Sequence, residues 1–384
     1  MPFVLSIKQL KVTIRRKMLF LSPCTPDPQG TGWEQRAYSF LFAYSRFMDV
    51  ALWFVPTQDN PDLVRSPSLP TICKSMTAFH TCAFNDPRSG LMNRFRRDLS
   101  RSELVHIFRF EEFVRVVNHQ CIAWDIDELP WHLRPSGWDG KMNPAPNETT
   151  ELIRTTFASD ANKCKRIFGS SILERPENCT KFTAIPNIIR FPKLPADDPA
   201  ARNPSLLFVG NLNFSPNTDG LLFFHDQILP ILDSLMSGIS ISIVGRAPDT
   251  EVARSVMTRL HQSKRYRLAF DVPNCSPYYH QATVAIAPIL SGGGTRIKII
   301  EAFANRCPVI STTRGCEGLN VEHGKQLLIA DRPQDFANAC VELLRNAPLR
   351  NQMMESAFAF SEREHSQEIV EKLLRSSVAS LLET

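Results

Sequence analysis

The chain has 384 residues, 43% of them hydrophobic and 22% charged, which is the composition of an ordinary globular protein. The length favours two domains, and no apolar run reaches the roughly 20 residues that a membrane-spanning helix requires. The formal net charge of +5 is too small to indicate a nucleic-acid partner.

The positive charge is concentrated in the N-terminal half of the chain. Residues 1–203 hold 27 basic and 21 acidic side chains, a net charge of +6, whereas the remaining residues carry −1. A basic half of this kind suits peripheral contact with an anionic membrane surface or binding of an anionic acceptor.

The spacing of the cysteines and histidines indicates the compartment and gives no support for a metal site. The ten cysteines show no CxxC or zinc-ligand spacing, and the nine histidines form no HExxH or similar group. We therefore expect reduced thiols, no metal and a cytoplasmic location, and the basic start lacks the longer apolar run of a signal peptide.

The N-terminal segment begins with a basic extension, residues 1–17, which is either a membrane-surface segment or simply an extended start. Residues 18–22 are predicted to form a buried strand, followed by a turn that contains Gly30 and Gly32. An amphipathic helix from Trp33 and a second strand over residues 50–55 complete a β-α-β unit. This unit is typical of the start of a Rossmann-like domain.

A basic amphipathic helix is predicted next, over residues 88–101. Its apolar side chains alternate with Arg94, Arg96, Arg97 and Arg101. This pattern is found in helices that lie on membranes, and equally in solvated helices that pack on their own domain.

Two further strands, over residues 104–109 and 121–128, end in polar groups. In open parallel sheets the carboxyl ends of the strands face the ligand crevice, so side chains there are placed to contact a ligand. A carboxylate at a strand end is also a common helix cap, and both interpretations stay open. The polar residues concerned are His106, Arg109, Asp125 and Asp127.

A helix is predicted over residues 151–168, and proline-rich residues 191–204 are predicted to link two domains. The second half again alternates strands and helices. Its predicted strands begin at residues 206, 239, 268 and 282, which indicates another parallel sheet.

The most informative stretch of the chain follows the apolar strand over residues 282–290. Three glycines, Gly292, Gly293 and Gly294, lead into a short helix that is predicted to open at Thr295 and to end before Pro308. Glycines allow backbone N–H groups to approach a ligand, and a helix start adds unpaired donors and a positive dipole end. The pattern therefore predicts a site for an anion such as a diphosphate.

The charged residues of this helix support the same prediction. Arg296 and Lys298 place positive charge in the predicted first turn, where the helix dipole alone would disfavour it. Lys298 and Glu301 share one helix face, so the cation can meet phosphate while the carboxylate accepts hydrogen bonds from ribose hydroxyls. An ordinary strand–loop–helix unit with a solvated basic turn is the alternative.

At these residues the chain resembles the GT-B glycosyltransferases, specifically the retaining family 4, also called glycosyl transferases group 1. The resemblance covers most of the chain and is strongest over residues 206–320. The glutamate that usually precedes Glu301 by eight positions is Gly293 here, so the common Glu-x7-Glu pair is missing. A subgroup with Gly-Gly-Gly-Thr-Arg-x-Lys resembles this chain better. Which group contacts the transferred sugar stays open.

The resemblance implies an α/β protein with the GT-B fold, in which two Rossmann-like domains with parallel sheets face each other across a cleft. We expect an extension over residues 1–17 and an acceptor-side domain over 18–203. A nucleotide-sugar-binding domain would follow over 204–362, and a C-terminal helix over 363–384 that packs back on the first domain.

The resemblance also assigns expected roles to the candidate residues. Asp127 would orient or deprotonate the acceptor hydroxyl, Arg296 and Lys298 would stabilise the leaving diphosphate, and Glu301 would bind ribose. The acceptor-side candidates are His106, Arg109 and Asp125. The donor-side candidates are Gly30, Gly32, Asn211, Asn217, Gly245, Val272, Gly292, Gly293, Gly294, Thr295 and Glu301.

The implied reaction moves a sugar from a nucleotide-diphosphate sugar to a glycan or lipid-linked acceptor, in polysaccharide or glycolipid assembly. It would retain the anomeric configuration and use no metal or other cofactor, at the inner face of the membrane or free in the cytoplasm. The alternatives are a nucleotide-sugar epimerase or sugar phosphorylase on the same scaffold, and a non-catalytic protein that binds a membrane or partner.

Overall fold

Two parallel β-sheets organise the structure, which is a computed structural model. It describes residues 15–28, 30–56, 69–79, 90–109, 111–126, 148–192, 204–293 and 296–383. The α/β architecture and the parallel sheets predicted from the sequence are confirmed.

The first sheet has seven strands in the order β3-β2-β1-β4-β5-β6-β7, with every neighbouring pair parallel. The order reverses between β1 and β4, which makes this pair the topological switch point of the sheet. The strands are β1 (Arg16–Ser22), β2 (Met48–Phe54), β3 (Ser75–Ala78), β4 (Leu104–Phe108), β5 (Ile122–Asp125), β6 (Arg166–Gly169) and β7 (Phe182–Ala184). The helices are α1 (Gly32–Ser45), α2 (Leu69–Ile72), α3 (Leu91–Arg101), α4 (Glu111–Val116) and α5 (Glu148–Lys163), with a 3-10 turn at Ile172–Glu174.

The second sheet has six parallel strands in the order β10-β9-β8-β11-β12-β13, and its switch point lies between β8 and β11. The strands are β8 (Ser205–Val209), β9 (Ser240–Gly245), β10 (Tyr266–Phe270), β11 (Val284–Ala287), β12 (Val309–Ser311) and β13 (Leu328–Ile329). The helices are α6 (Ser215–Phe223), α7 (Leu229–Leu235), α8 (Glu251–Gln262), α9 (Ser276–Gln281), α10 (Ile297–Ala304), α11 (Pro333–Arg345), α12 (Ala347–His365) and α13 (Gln367–Leu382).

The last helix returns to the first sheet. Val370, Leu374, Val378 and Leu381 of α13 recur at helical spacing, are buried, and join the hydrophobic core that α1 forms on one face of that sheet. Just before α13 begins, the carbonyl of His365 accepts a hydrogen bond from the backbone N–H of Ile189 at 3.0 Å, which connects this part of the chain to the segment after β7.

The basic helix predicted over residues 88–101 forms as α3, and its apolar face packs on its own sheet. Leu91 and Phe95 are buried in the core beside Trp53, whose indole N–H donates to Asp98 at 3.0 Å. The apolar stripe of α3 is thus used internally, while its arginines face outward. None of the helices in the described ranges has the length and apolar composition needed to cross a bilayer.

Two predicted helices differ from the structure. The helix predicted over residues 151–168 ends at Lys163, because Ile167 and Phe168 enter the sheet as β6 and are fully buried there. The helix predicted through residue 232 contains a wider turn at Phe224–Ile228, with the N–H of Leu229 bonded to the carbonyl of Phe224. Pro230 follows directly, and a proline disrupts regular α-helical hydrogen bonding, so the wider turn accommodates it.

Candidate functional site

The two switch points lie next to each other in space. Gln35, on the first helix after β1, donates a hydrogen bond from Nε2 to Oε1 of Glu301, on the helix after β11, at 3.2 Å. A Cβ on Gly32 would lie 3.4 Å from Cδ1 of Ile297, the first residue of α10. The starts of α1 and α10 are therefore in contact, and residues from both sheets line one site.

The glycine-rich turn after β11 owes its shape partly to Arg296. Gly292 has a φ of 89°, which L side chains rarely adopt. The Arg296 guanidinium turns back and donates to the carbonyls of Ser291 at 3.0 Å and Gly293 at 2.5 Å. This corrects the predicted helix start: α10 begins at Ile297, with Arg296 as its N-cap residue. Arg296 therefore binds the turn directly and contributes its charge from a buried position.

Lys298 lies at the centre of the site. Its Nζ donates to Oδ1 of Asn217 at 2.6 Å and sits 4.3 Å from the ring centroid of Phe208. The pKa of Lys298 is lowered from its ordinary 10.5 to about 7, chiefly by burial and also by the Arg296 charge, while the Glu301 charge opposes the shift. A lysine held in this way gains most from an anionic ligand, which would restore its charge.

The loop after β8 brings two predicted donor-side residues to this lysine. The side-chain amide of Asn217 donates to the carbonyl of Asn211 at 2.7 Å, while its oxygen accepts from Lys298. Gly245 lies beneath them, since a Cβ there would be only 1.8 Å from the Gly210 carbonyl oxygen. The glycine at position 245 is thus explained by backbone packing between β8 and β9. Val272 follows the outer strand β10 and packs against the core of this sheet.

Glu301 is held by residues from two helices, Gln35 of α1 beside the first sheet and Tyr279 of α9 beside the second. Gln35 donates to Oε1 at 3.2 Å, and the buried Tyr279 hydroxyl lies 3.4 Å from Oε2. Burial raises the pKa of Glu301, and the hydrogen bonds from Gln35 and Tyr279 and the charge of Lys298 oppose that rise. The carboxylate faces the same site as the lysine one helical turn earlier.

The turn that precedes α1 is fixed by a capping box. Thr31 is the N-cap residue, and its backbone N–H donates to Oε2 of Glu34 at 2.6 Å. A Cβ on Gly30 would lie 2.4 Å from the same Oε2, so the turn needs a glycine there. Both glycines were predicted on the donor side: Gly32 lies against the start of α10, and Gly30 forms the turn that precedes α1.

Arg109 is placed at the edge of the crevice, at the carboxyl end of β4. Its backbone has a φ of 55°, and its guanidinium carbon lies 3.6 Å from the ring centroid of Trp33. Trp33 remains 46% exposed although it is one of the largest side chains of the protein. An aromatic ring and a cation thus flank the switch point of the first sheet.

His106 and Asp125 are corrected to packing residues. His106 is fully buried, stacks on Phe20 with the ring centroids 4.6 Å apart, and shares a hydrogen bond with the Tyr44 hydroxyl at 3.0 Å. Burial lowers the pKa of His106, so it stays neutral. Asp125 is fully buried in an ion pair with Arg36 at 3.1 Å. Both faces of this sheet are covered, so neither side chain reaches an acceptor.

Three predicted site residues, Asp127, Gly294 and Thr295, lie outside the described ranges. Among the residues that are described, no cluster of three or more histidine, cysteine, aspartate or glutamate side chains is arranged to hold a metal ion. The nine cysteines in those ranges are free thiols.

Sequence reasoning missed three residues of this site: Trp33, Gln35 and Tyr279. Trp33 and Gln35 lie just inside a helix whose start is signalled by the Thr-x-x-Glu capping box at Thr31, but no local pattern says what a helix start will face. Taken together, the described groups offer a cation, a carboxylate, glycine-containing turns and backbone amides. Such a set is suited to a phosphorylated, hydroxyl-bearing ligand.

Comparisons with known proteins show which sequences and folds this chain resembles. Residues 203–346 match the sequence model of the glycosyl transferases group 1. An uncharacterized 44.6 kDa protein in the cps region of Klebsiella pneumoniae is 27% identical over 161 residues. That match covers 41% of this chain and 42% of the relative, so it spans less than half the length of either protein.

Solved structures with the same fold cover nearly the whole chain. HepE from Anabaena, crystallised with UDP-glucose, has a TM-score of 0.68 at 13% identity and covers 95% of this chain and 99% of its own. Sucrose-phosphate synthase from Thermosynechococcus elongatus has a TM-score of 0.71 at 14% identity, and the match covers 96% of this chain and 100% of the synthase chain. The GT-B fold predicted from the sequence is thereby confirmed.

Proposed function

We propose that this chain, a GT-B protein of the glycosyl transferases group 1 family, transfers a sugar from a nucleotide-diphosphate sugar to a hydroxyl acceptor. The observation that carries the proposal is the position of Lys298, whose ammonium group lies between the two loops of the C-terminal switch point. Ligands of open α/β sheets bind at this point, and the lysine is the group that a diphosphate would contact.

On the donor side, the proposed catalysis consists of positioning and charge stabilisation. Lys298 and the backbone amides of the Gly292–Gly294 turn would stabilise the charge that develops on the leaving diphosphate. Part of the effect of Arg296 would be indirect: its hydrogen bonds hold the glycine turn in the shape that presents the backbone amides to the phosphate. Glu301 would accept hydrogen bonds from the ribose hydroxyls.

On the acceptor side, we propose Arg109 and the exposed indole of Trp33 as contacts for the acceptor, because they flank the switch point of the first sheet. Asp127 keeps its proposed role towards the acceptor hydroxyl. A relative encoded in a cps region supports a role in polysaccharide or glycolipid assembly. A cytoplasmic location, peripheral membrane contact, retention of configuration and independence of metal remain parts of this proposal.

The function is tested with a panel of UDP-, GDP- and dTDP-sugars. A donor present at a hundred times its dissociation constant should stabilise the protein by about 2.7 kcal/mol, which is readily seen as a shift in Tm. With an acceptor glycan, NMR of the product should show a new glycoside of unchanged anomeric configuration. An epimer or a sugar phosphate as the product would support the epimerase or phosphorylase instead, and no stabilisation by any donor would indicate a non-catalytic protein.

The affinity for UDP-glucose is expected to fall as the pH rises above about 7. The pKa of Lys298 is about 7 in the free protein, so above that value the amine is mostly neutral. A bound diphosphate favours the ammonium form, so binding at high pH takes up a proton. The dissociation constant should rise by up to about tenfold for each pH unit above 7.

Isothermal titration calorimetry in two buffers of different ionisation enthalpy measures this proton uptake directly. The variant Lys298→Arg is the matched control, since arginine keeps its charge throughout this range and should flatten the pH dependence. An affinity of the unsubstituted protein that does not change between about pH 6 and pH 9 would contradict the prediction.

A further inference from the structure

Gln35 connects the two halves of the site through one side chain. It belongs to α1, which packs on the first sheet, and its amide nitrogen donates to the Gly30 carbonyl at 3.0 Å and to Oε1 of Glu301 at 3.2 Å. A carbonyl oxygen cannot bond to another carbonyl oxygen, so the Gly30 contact requires that the NH₂ group point this way. Both donors of the amide are then engaged, one in each half of the molecule.

The second group near Glu301 holds it less firmly. The Tyr279 hydroxyl has a single proton and two acceptors within reach, the Lys298 carbonyl at 3.1 Å and Oε2 of Glu301 at 3.4 Å. Its hydrogen bond to the carboxylate is therefore shared and long. Gln35 provides the shorter contact, at 3.2 Å, through a proton that is not shared with a second acceptor, and so contributes most to the orientation of the carboxylate.

The arrangement leaves acceptor capacity where a ribose would need it. An ionised carboxylate offers about four lone-pair positions, two on each oxygen. Gln35 occupies one on Oε1, and Tyr279 is directed at one on Oε2. Each oxygen thus retains one position, and two adjacent acceptors match the two adjacent hydroxyls of a ribose. A 2′-deoxyribose would leave one of the two positions unused.

We propose that Gln35 is a positioning residue that orients Glu301 for a vicinal diol, so that discrimination between ribonucleotide and 2′-deoxyribonucleotide donors depends on a side chain of α1, the helix that packs on the opposite sheet. The inference rests on the proposed function, because it takes the ligand of Glu301 to be the ribose of a nucleotide. It makes the site incomplete within the C-terminal half alone. Ribose recognition is consequently linked to the contact between the starts of α1 and α10.

The test compares the binding of UDP and 2′-deoxy-UDP, and of GDP and 2′-deoxy-GDP, by calorimetry on the full chain. The unsubstituted protein should prefer one ribonucleotide over its deoxy form by about tenfold, the value of one well-formed hydrogen bond. In Gln35→Ala the ribonucleotide should bind several-fold more weakly while the deoxy form is nearly unaffected, so the preference shrinks towards one. If the role of Gln35 were merely structural, Gln35→Ala would weaken the binding of the ribonucleotide and of its deoxy form equally.

Two further variants keep the test decisive. Gln35→Met preserves the side-chain volume without the amide and should behave as Gln35→Ala does, even if the smaller residue disturbs packing. Gln334→Ala removes an exposed glutamine on α11 and should keep the full preference.

The inference is overturned if Gln35→Met binds UDP or GDP with undiminished preference over the deoxy form. In that case only this inference is overturned, because nucleotide binding itself still supports the proposed function. The inference is also overturned, alone, if the unsubstituted protein binds UDP or GDP without preference over the deoxy form, or is stabilised only by the dTDP-sugar. If no donor of the UDP-, GDP- and dTDP-sugar panel binds, the proposed function and this inference are overturned together.

Discussion

Lys298→Ala is expected to abolish sugar transfer and to leave the fold intact. The ammonium group lies 2.6 Å from Oδ1 of Asn217, at the place where the leaving diphosphate would gain charge. Removal of one such preorganised charge typically lowers kcat by about 10²–10³-fold. The fold should tolerate the change, because it removes an ammonium group whose burial already opposes its charge, together with a cation–π contact with Phe208 worth about 1 kcal/mol.

Turnover of the donor that gives the largest thermal stabilisation measures this effect, together with thermal unfolding of the same sample. Lys325→Ala is the matched control, since Lys325 lies in the same half of the chain and forms an exposed ion pair with Glu322. The control should retain full turnover. Wild-type turnover in Lys298→Ala would remove the central support for the proposed enzyme.

Arg36→Ala is expected to cause the largest loss of stability. The guanidinium is fully buried; it pairs with Asp125 at 3.1 Å and donates to the Ile185 carbonyl and to Oδ1 of Asn187, both at 2.9 Å. Its removal breaks the ion pair of the buried Asp125 carboxylate and both of these hydrogen bonds. Breaking a buried pair in this way costs about 3–5 kcal/mol of unfolding free energy.

Thermal and denaturant unfolding measure this loss. The matched control is Arg332→Ala, which breaks an exposed ion pair with Asp335 and should change the free energy of unfolding by less than about 1 kcal/mol. Replacing Arg36 and Asp125 together with apolar residues of similar volume should recover much of the stability. A loss in Arg36→Ala no larger than in Arg332→Ala would show that the pair is not the structural element described here.

The consequence of Arg36→Ala would extend beyond stability. Arg36 is the neighbour of Gln35 on α1, and its ion pair fixes this helix against β5. The stability of the first sheet and the geometry of Glu301 are thus linked through adjacent residues. This is a physical reason to expect donor binding and the packing of the N-terminal half to respond together.

Much of the fold could be predicted from local patterns. The alternation of buried strands and amphipathic helices indicated two parallel sheets, and the glycine turn before Lys298 and Glu301 indicated an anion site. These signals are local, because side-chain periodicity and glycine placement determine which face is buried and where a turn can form. The predicted helix boundary was wrong at Ile167 and Phe168, because a short apolar run fits the end of a helix and a buried strand equally well.

Strand-end side chains were predicted less well. His106 and Asp125 were expected at the crevice because they follow the apolar residues of β4 and β5. Both strands are buried on their two faces, so alternation along the strand does not separate side chains that reach solvent from those that pack under a helix. Arg109, one residue beyond the end of β4, does lie at the edge of the crevice.

By itself, the sequence determined the α/β class, the glycine turn and the presence of a lysine and a glutamate on one face of the following helix. Only the tertiary structure decided that Arg296 turns back on that turn, that Lys298 meets Asn217, and that Gln35 reaches Glu301 from the other sheet. The physical reason is that side-chain periodicity along a chain specifies which face of a helix or strand is apolar and will be buried. The partner on that side is chosen by how the two sheets pack, through groups 81 and 266 residues apart in the chain.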